Sequence, residues 1–214
     1  MTSQDTLVDI RAEIAQCTKC PLARTRKNTV PGEGSADAEI MFIGEGPGFY
    51  ENEQGKPFVG QAGKFLDELL AYAGLKREQV FITNVVKCRP PDNRDPEPSE
   101  LEACSSFLDR QIACLHPKVI VTLGRHSMGK FLPNAKVSQI HGRSAWVRGQ
   151  LIVAMYHPAA GLHQPTLKST IIADFRKLPE IIEQARKSEM IQKANPQSEE
   201  EEPHKEDPTQ LSFF

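Results

Sequence analysis

Four of the five cysteines in this 214-residue chain are spaced to act together. Cys17 and Cys20 form a Cys-x-x-Cys ahead of Pro21, a turn from which two thiolates can chelate one ion. Cys88 lies in the proline-rich stretch Lys87-Cys88-Arg89-Pro90-Pro91, where no core packing requires a thiol, and Cys104 falls in the first turns of a helix that Ser99 and Glu102 mark as a capping box. Cys114, on the apolar face of that helix, is the one left over. Four thiolates suit a tetrahedral zinc ion or an iron–sulfur cluster, and ligand softness does not separate the two. An odd cysteine count without a secretion signal argues against a disulfide framework. A second reactive candidate is the stretch IMFIGEGPGFYENEQGKPFVG at 40–60, where an apolar run ends in Gly44, Gly46 and Gly48 around Pro47. Such a loop can turn tightly and bring backbone close to a ligand. No Gly-Lys-Ser/Thr follows it, which weakens a phosphate-binding reading.

The elements that must position these residues are legible as periodicity. Residues 40–43, 80–86, 118–124 and 151–155 are short apolar, β-branched runs and read as strands. Between and around them, helical spacing marks 5–16, 62–73, a helix of about 16 residues from Ser99, 125–131 and a last helix through Ile171 and Ile182. The expectation is an α/β protein, a three-layer αβα sandwich with a central four-stranded, mainly parallel sheet. Ligands of such sheets bind beyond the carboxyl ends of the strands, which gathers Gly44-Glu45-Gly46, Asn84 with Cys88, Gly124 and His157 on one rim.

With 39% apolar residues the chain can bury one sizeable core. We expect one domain over residues 1–187 and a disordered acidic tail over 188–214. The tail holds seven acidic residues against two lysines, so removing its −5 from the net −2 leaves the body at +3, compatible with a polyanionic partner. No stretch approaches the roughly 20 consecutive apolar residues of a membrane span, and the charged, amphipathic N-terminus is unlike a signal peptide. A cytoplasmic, nucleoid-associated monomer without membrane contact is expected.

Several of these pieces stand in one order, and the sequence resembles the family-4 uracil-DNA glycosylases, the iron–sulfur type of bacteria and archaea. The resemblance runs from about Cys17 to Arg176. It is carried by GEGPG at 44–48 with Glu51, GKPFVGQAG at 55–63, TNVVKCRPPDNR at 83–94, the four cysteine spacings and HPAA at 157–160. It implies a uracil-DNA-glycosylase fold, a 4Fe-4S cluster on Cys17, Cys20, Cys88 and Cys104, and excision of uracil from single- and double-stranded DNA in base excision repair. The competing reading is a non-catalytic DNA-binding module built around a four-cysteine metal site.

Under that resemblance the rim residues acquire tasks. A flipped base is read on its Watson–Crick edge. Asn84 can offer its amide oxygen to uracil N3–H and its NH2 to O4, a pattern that cytosine opposes. Phe58 is placed against the uracil face, Gly44 and Gly46 bring backbone close to the nucleotide, and His157 donates to O2 as charge develops on the departing base. Gly46 stands where the most efficient uracil glycosylases have an aspartate, so catalysis is expected to rely on electrostatic stabilisation. Glu45, Glu51 and Asn93 are the candidates for orienting water. Leu162 is expected to wedge into the space left by the flipped base, although Gly161-Leu162-His163 departs from the leucine-arginine pair of many family members. Lys87, Arg89 and Arg94 are expected to meet phosphates. His116, His126 and His204 receive no role, and His141 lies in a loop that could meet DNA. The terminal Gln210-Leu211-Ser212-Phe213-Phe214 resembles the bacterial sliding-clamp-binding peptide, with Gln210, Leu211, Phe213 and Phe214 filling the clamp pocket.

Overall fold

The computed structural model describes residues 6–194. Its strands are β1 (Glu33–Gly34), β2 (Ile40–Gly44), β3 (Phe81–Asn84), β4 (Val119–Leu123), β5 (Arg143–Val147) and β6 (Gln150–Met155), and they form one sheet in the order β1-β3-β2-β4-β6-β5. The four expected strands are the parallel centre, β3-β2-β4-β6. Two antiparallel edge strands extend it, so the sheet has six strands rather than four. β1 is only two residues long, too short to leave a periodic signal. β5 joins β6 through Arg148 and Gly149, both at positive φ (50° and 76°), the two-residue reversal whose twist matches a hairpin. An Arg-Gly pair does not advertise that turn.

The helices are α1 (Leu7–Gln16), α2 (Phe49–Gln54), α3 (Gln61–Tyr72), α4 (Pro98–Leu115), α5 (Arg125–Phe131), α6 (Val137–Ile140), α7 (Pro158–His163) and α8 (Pro165–Ala194). β2 and β4 are buried at every position because both faces of the sheet are covered. Phe42, Val121 and Val153 pack with Leu66 and Leu69 of α3 and Phe175 and Leu178 of α8. The alternate residues Met41, Ile120 and Ile152 pack with Leu108 of α4 and Met128 of α5 on the other face. A one-residue slip would exchange these sets, so burial fixes the register.

α4 does not start at Ser99. Its N-cap is Glu97, with Pro98 at the first helical position and the Glu100 carboxylate accepting from Glu97 N–H at 2.8 Å, an arrangement that leaves Ser99 inside the first turn. α1 lies against α4 in a smaller core in which Ile10, Ile14, Leu22, Val86 and Phe107 surround the cysteines. α8 runs through the 187/188 division to Ala194, and the tail peptide with Gln210, Leu211, Phe213 and Phe214 lies outside the described residues. Among the described residues no helix is long and apolar enough to cross a membrane.

Candidate active site

The parallel strands end on one rim. Backbone pairing continues beyond them, Val85 N–H donating to Gly44 O at 3.0 Å and Val86 N–H to Glu45 O at 3.2 Å, so the loop after β2 is held against the chain after β3. A cavity of about 380 Å³ opens there, lined among others by Glu45, Gly46, Glu51, Phe58, Asn84, Asn93, Arg94 and His157. The structure therefore brings into one cavity eight of the twelve residues named for catalysis, base binding and DNA binding, while Gly44, Lys87, Arg89 and Leu162 do not line it.

Asn84 is the last residue of β3 and is 1% exposed. Its Oδ1 is buried and has no hydrogen-bond partner among the described residues, a state that costs about 1–3 kcal/mol and calls for a donor from outside the chain. A Cβ on Gly44 would stand 2.4 Å from that oxygen and 2.6 Å from Phe58 Cζ, so only glycine lets the strand pass beneath both groups. Phe58 has a φ of 50°, which an L-residue adopts at about 1–2 kcal/mol. Its carbonyl oxygen would lie 1.9 Å from a Cβ on Gly63, so α3 can start this close only through a glycine. The Phe58 ring stacks with the His157 ring, centroids 5.5 Å apart and planes 28° from parallel.

His157 caps α7. Its Nδ1 accepts the Ala159 N–H at 3.1 Å, which leaves the proton of the neutral ring on Nε2. Burial drives its pKa down to about 4 against an opposing pull from Glu51, so at neutral pH the ring is an uncharged donor. Glu51 itself closes the start of α3: Oε1 accepts the Val59 and Gly60 N–H groups, each at 2.9 Å. The other oxygen lies beside Gly48, where a Cβ would come within 2.7 Å of it. Asn93, at φ 54°, accepts from Arg89 Nε–H at its side-chain Oδ1, 2.8 Å away. Arg94 reaches the edge of the cavity while its guanidinium is paired in a fork with Glu100, at 2.7 and 2.9 Å.

Lys87 differs from its expected place. Its side chain turns inward, is 1% exposed, and Nζ donates to Thr83 Oγ1, the Asn84 carbonyl and Gln111 Oε1, each at 2.7 Å. It cannot meet a phosphate; it fastens the Asn84 backbone to α4. Leu162 is 43% exposed on α7, next to His163 in the cavity wall. His141 is not loose: Nδ1 lies 2.6 Å from the buried Asp174 carboxylate of α8. His126, given no role in the sequence, stands beside the site. Its Nε2 is 3.8 Å from Glu45 Oε2 and 3.4 Å from Asp95 Oδ1, Arg125 pairs with Asp95, and burial raises the Glu45 pKa. Those partners arrive from three separate segments, so no local pattern could have shown the cluster.

The four cysteines converge as well. Cys17 ends α1, Cys20 opens the short turn at Pro21, Cys88 follows β3 and Cys104 lies on α4, and all four line one small cavity with Arg26, Lys87 and Phe107. Arg26 Nη1 lies 3.3 Å from Cys88 Sγ and the Lys87 N–H 3.3 Å from Cys104 Sγ. Such a set could hold a metal ion or a cluster through sulfur. Cys114 packs at the edge of this core and does not line the cavity.

The family model of the uracil DNA glycosylase superfamily matches residues 31–177. The type-4 uracil-DNA glycosylase of Sulfurisphaera tokodaii is 49% identical over 187 residues, covering 83% of this chain and 85% of the relative. That of Archaeoglobus fulgidus is 46% identical over 187 residues, covering 83% and 94%, and that of Thermotoga maritima 42% identical over 188 residues, covering 85% and 98%. A rim cavity built on Asn84, Phe58 and His157, together with relatives aligned over more than four-fifths of the sequence, leads to one assignment: the chain belongs to the uracil DNA glycosylase superfamily and, within it, to the type-4 uracil-DNA glycosylases.

Proposed function

We infer that the chain is a uracil-DNA glycosylase, hydrolysing the N-glycosidic bond of deoxyuridine in DNA and so opening base excision repair. The observation that supports this most is the buried, unpaired Asn84 Oδ1, an acceptor placed for uracil N3–H. The amide NH2 then serves O4, Phe58 covers the ring, and His157 Nε2–H donates to O2. As the C1′–N1 bond breaks, its electron pair leaves on uracil and is stabilised by that donor, while the Glu51 carboxylate steadies the cationic sugar and takes a proton from the water that adds to C1′. Both single- and double-stranded DNA are substrates, since the chemistry needs only an extrahelical nucleotide. In Asn84→Asp the carboxylate still accepts from N3–H but opposes O4. We expect kcat/KM for uracil release from an oligonucleotide to fall roughly 5- to 150-fold, the range of one bidentate base read. Absence of uracil release by the unaltered protein would favour the non-catalytic DNA-binding module.

A 4Fe-4S cluster on Cys17, Cys20, Cys88 and Cys104 is the second part of the proposal. Burial pushes the Cys88 thiol up to about 11 and raises that of Cys104, so these sulfurs ionise at neutral pH only with a cation or cluster beside them. The N–H groups from Arg26 and Lys87 suit the resulting sulfur charge. When bound, the cluster supplies iron–thiolate bonds that tie α1, the loop after β3 and α4 together. Purified protein is expected to be coloured and to carry about four irons and acid-labile sulfide per chain; colourless protein holding zinc after anaerobic preparation would exclude the cluster.

The C-terminal peptide completes the proposal as a tether to a bacterial sliding clamp, raising the enzyme's local concentration at replicating DNA. Deleting residues 210–214 is expected to abolish retention on immobilised clamp without changing uracil release, and undiminished retention would rule the tether out.

A further inference from the structure

Two large aromatic side chains stand in solvent on the segment that joins two residues of the cavity wall. Phe49 and Tyr50, the first residues of α2, are 51% and 56% exposed and meet edge to face with centroids 5.5 Å apart. They lie between Gly48 and Glu51, both of which line the cavity. Tyr50 leans on Gly60, where a Cβ would come within 3.3 Å of Cδ2, so the pair is braced on the start of α3. The Arg89 guanidinium stands 5.3 Å from the Phe49 ring centroid and is itself held by Asn93. Core packing does not account for this arrangement: neither ring belongs to a core cluster, and about half of each residue stays exposed. Exposed aromatic rings beside a cation are what a strand of unpaired nucleotides requires, a π face for a base and a positive charge for its phosphate.

We propose that one ring of the Phe49–Tyr50 pair stacks face-on against the unpaired base adjacent to the extrahelical uridine while the other meets that base edge-on, the two forming a platform, with Arg89 facing the intervening phosphate, so that single-stranded DNA is gripped at two consecutive nucleotides. The proposal rests on the glycosylase reading of the cavity. Continuity selects the occupant: the platform begins one residue from the cavity wall, so the chain segment that reaches it is the one attached to the bound nucleotide. In duplex DNA the adjacent base remains paired and stacked within the helix, and the platform contributes less.

The test compares single-stranded oligonucleotides that carry one uracil with a purine on both sides, or with an abasic tetrahydrofuran residue replacing the purine on one side or the other. The unaltered enzyme is expected to lose roughly 5- to 150-fold in kcat/KM when one of the two neighbours is abasic, the range given by base–aromatic stacking. The double variant Phe49→Leu, Tyr50→Leu keeps apolar bulk but no ring face. It is expected to act on the complete strand as the unaltered enzyme acts on the abasic-neighbour strand, to ignore the abasic replacement, and to lose several-fold less on a duplex. Inhibition by free uracil, which reports the cavity alone, is expected to be unchanged. Indifference of the unaltered enzyme to both abasic neighbours, full sensitivity in the double variant, or equal losses on single and double strands would overturn the platform. Uracil release from none of these substrates would instead overturn the glycosylase reading.

Discussion

Glu51→Gln is expected to lower kcat by roughly 100- to 10000-fold, the range of a positioned base, with KM and thermal stability nearly unchanged. The substitution separates two duties that Glu51 carries. One oxygen accepts two backbone N–H groups where α3 begins, and an amide oxygen can do the same. The other oxygen supplies negative charge to the cavity, which an amide cannot. Glu51→Ala removes both, and should additionally cost about 0.5–1.5 kcal/mol of stability for each backbone hydrogen bond lost. The rivals for this task are less well placed. Asn93 accepts from Arg89 Nε–H at its Oδ1, and an amide, unlike a carboxylate, does not take up a proton from water. Glu45 lines the same cavity, and a pKa raised by burial suits a base, but its Oε2 is turned to His126 Nε2, 3.8 Å away. Single-turnover rates for Glu51→Gln, Glu45→Gln and Asn93→Ala, read beside melting curves, assign the role. A large fall in Glu45→Gln with an undisturbed Glu51→Gln would transfer it to Glu45.

The parallel centre of the sheet was legible because strands buried on both faces must be apolar along their length, and residues such as Ile40 to Ile43 and Val119 to Leu123 satisfy that without help from context. The rim follows from the strand ends, which is why the sequence alone gathers Asn84, Gly44 and His157 there. What escaped depends on partners distant in sequence. Lys87 lies among basic residues in the loop after β3, and its composition reads as a phosphate contact. Only the fold reveals that Thr83, the Asn84 carbonyl and Gln111 supply three acceptors inside the protein. His126 is the same case in reverse, an ordinary residue of a short helix until Glu45 and Asp95 are folded against it. The start of α4 was legible and misread: Pro98 is the better signal for a first helical position, and it places the cap at Glu97. The short edge strands left no signal of their own, since β1 has two residues and β5 exposes part of its length.

His157→Ala is expected to reduce kcat roughly 100- to 1000-fold, the effect of removing one donor from a developing oxyanion. The mechanism also fixes the pH dependence. Burial lowers the histidine pKa to about 4, so the folded protein favours the neutral ring, while an unfolded histidine, at about 6.5, takes up its proton first on acidification. The stability contributed by the neutral ring is therefore fully present above about pH 6.5 and is lost as pH falls toward 4. Protonation also turns Nδ1 from an acceptor into a donor facing the Ala159 N–H, which breaks the bond that orients the ring. The dependence of kcat on pH should then show no histidine limb between pH 6 and 8, and the rate should fall only on the approach to pH 4. A limb near pH 6.5 that disappears in His157→Ala would mean that the ring is solvated during turnover and that a charged imidazolium, rather than a neutral donor, faces the departing uracil. The same profile in Glu51→Gln provides an internal check, because the Glu51 charge raises the His157 pKa. Removing that charge should move any acid limb assigned to the histidine to lower pH, whereas a limb belonging to another group would stay in place.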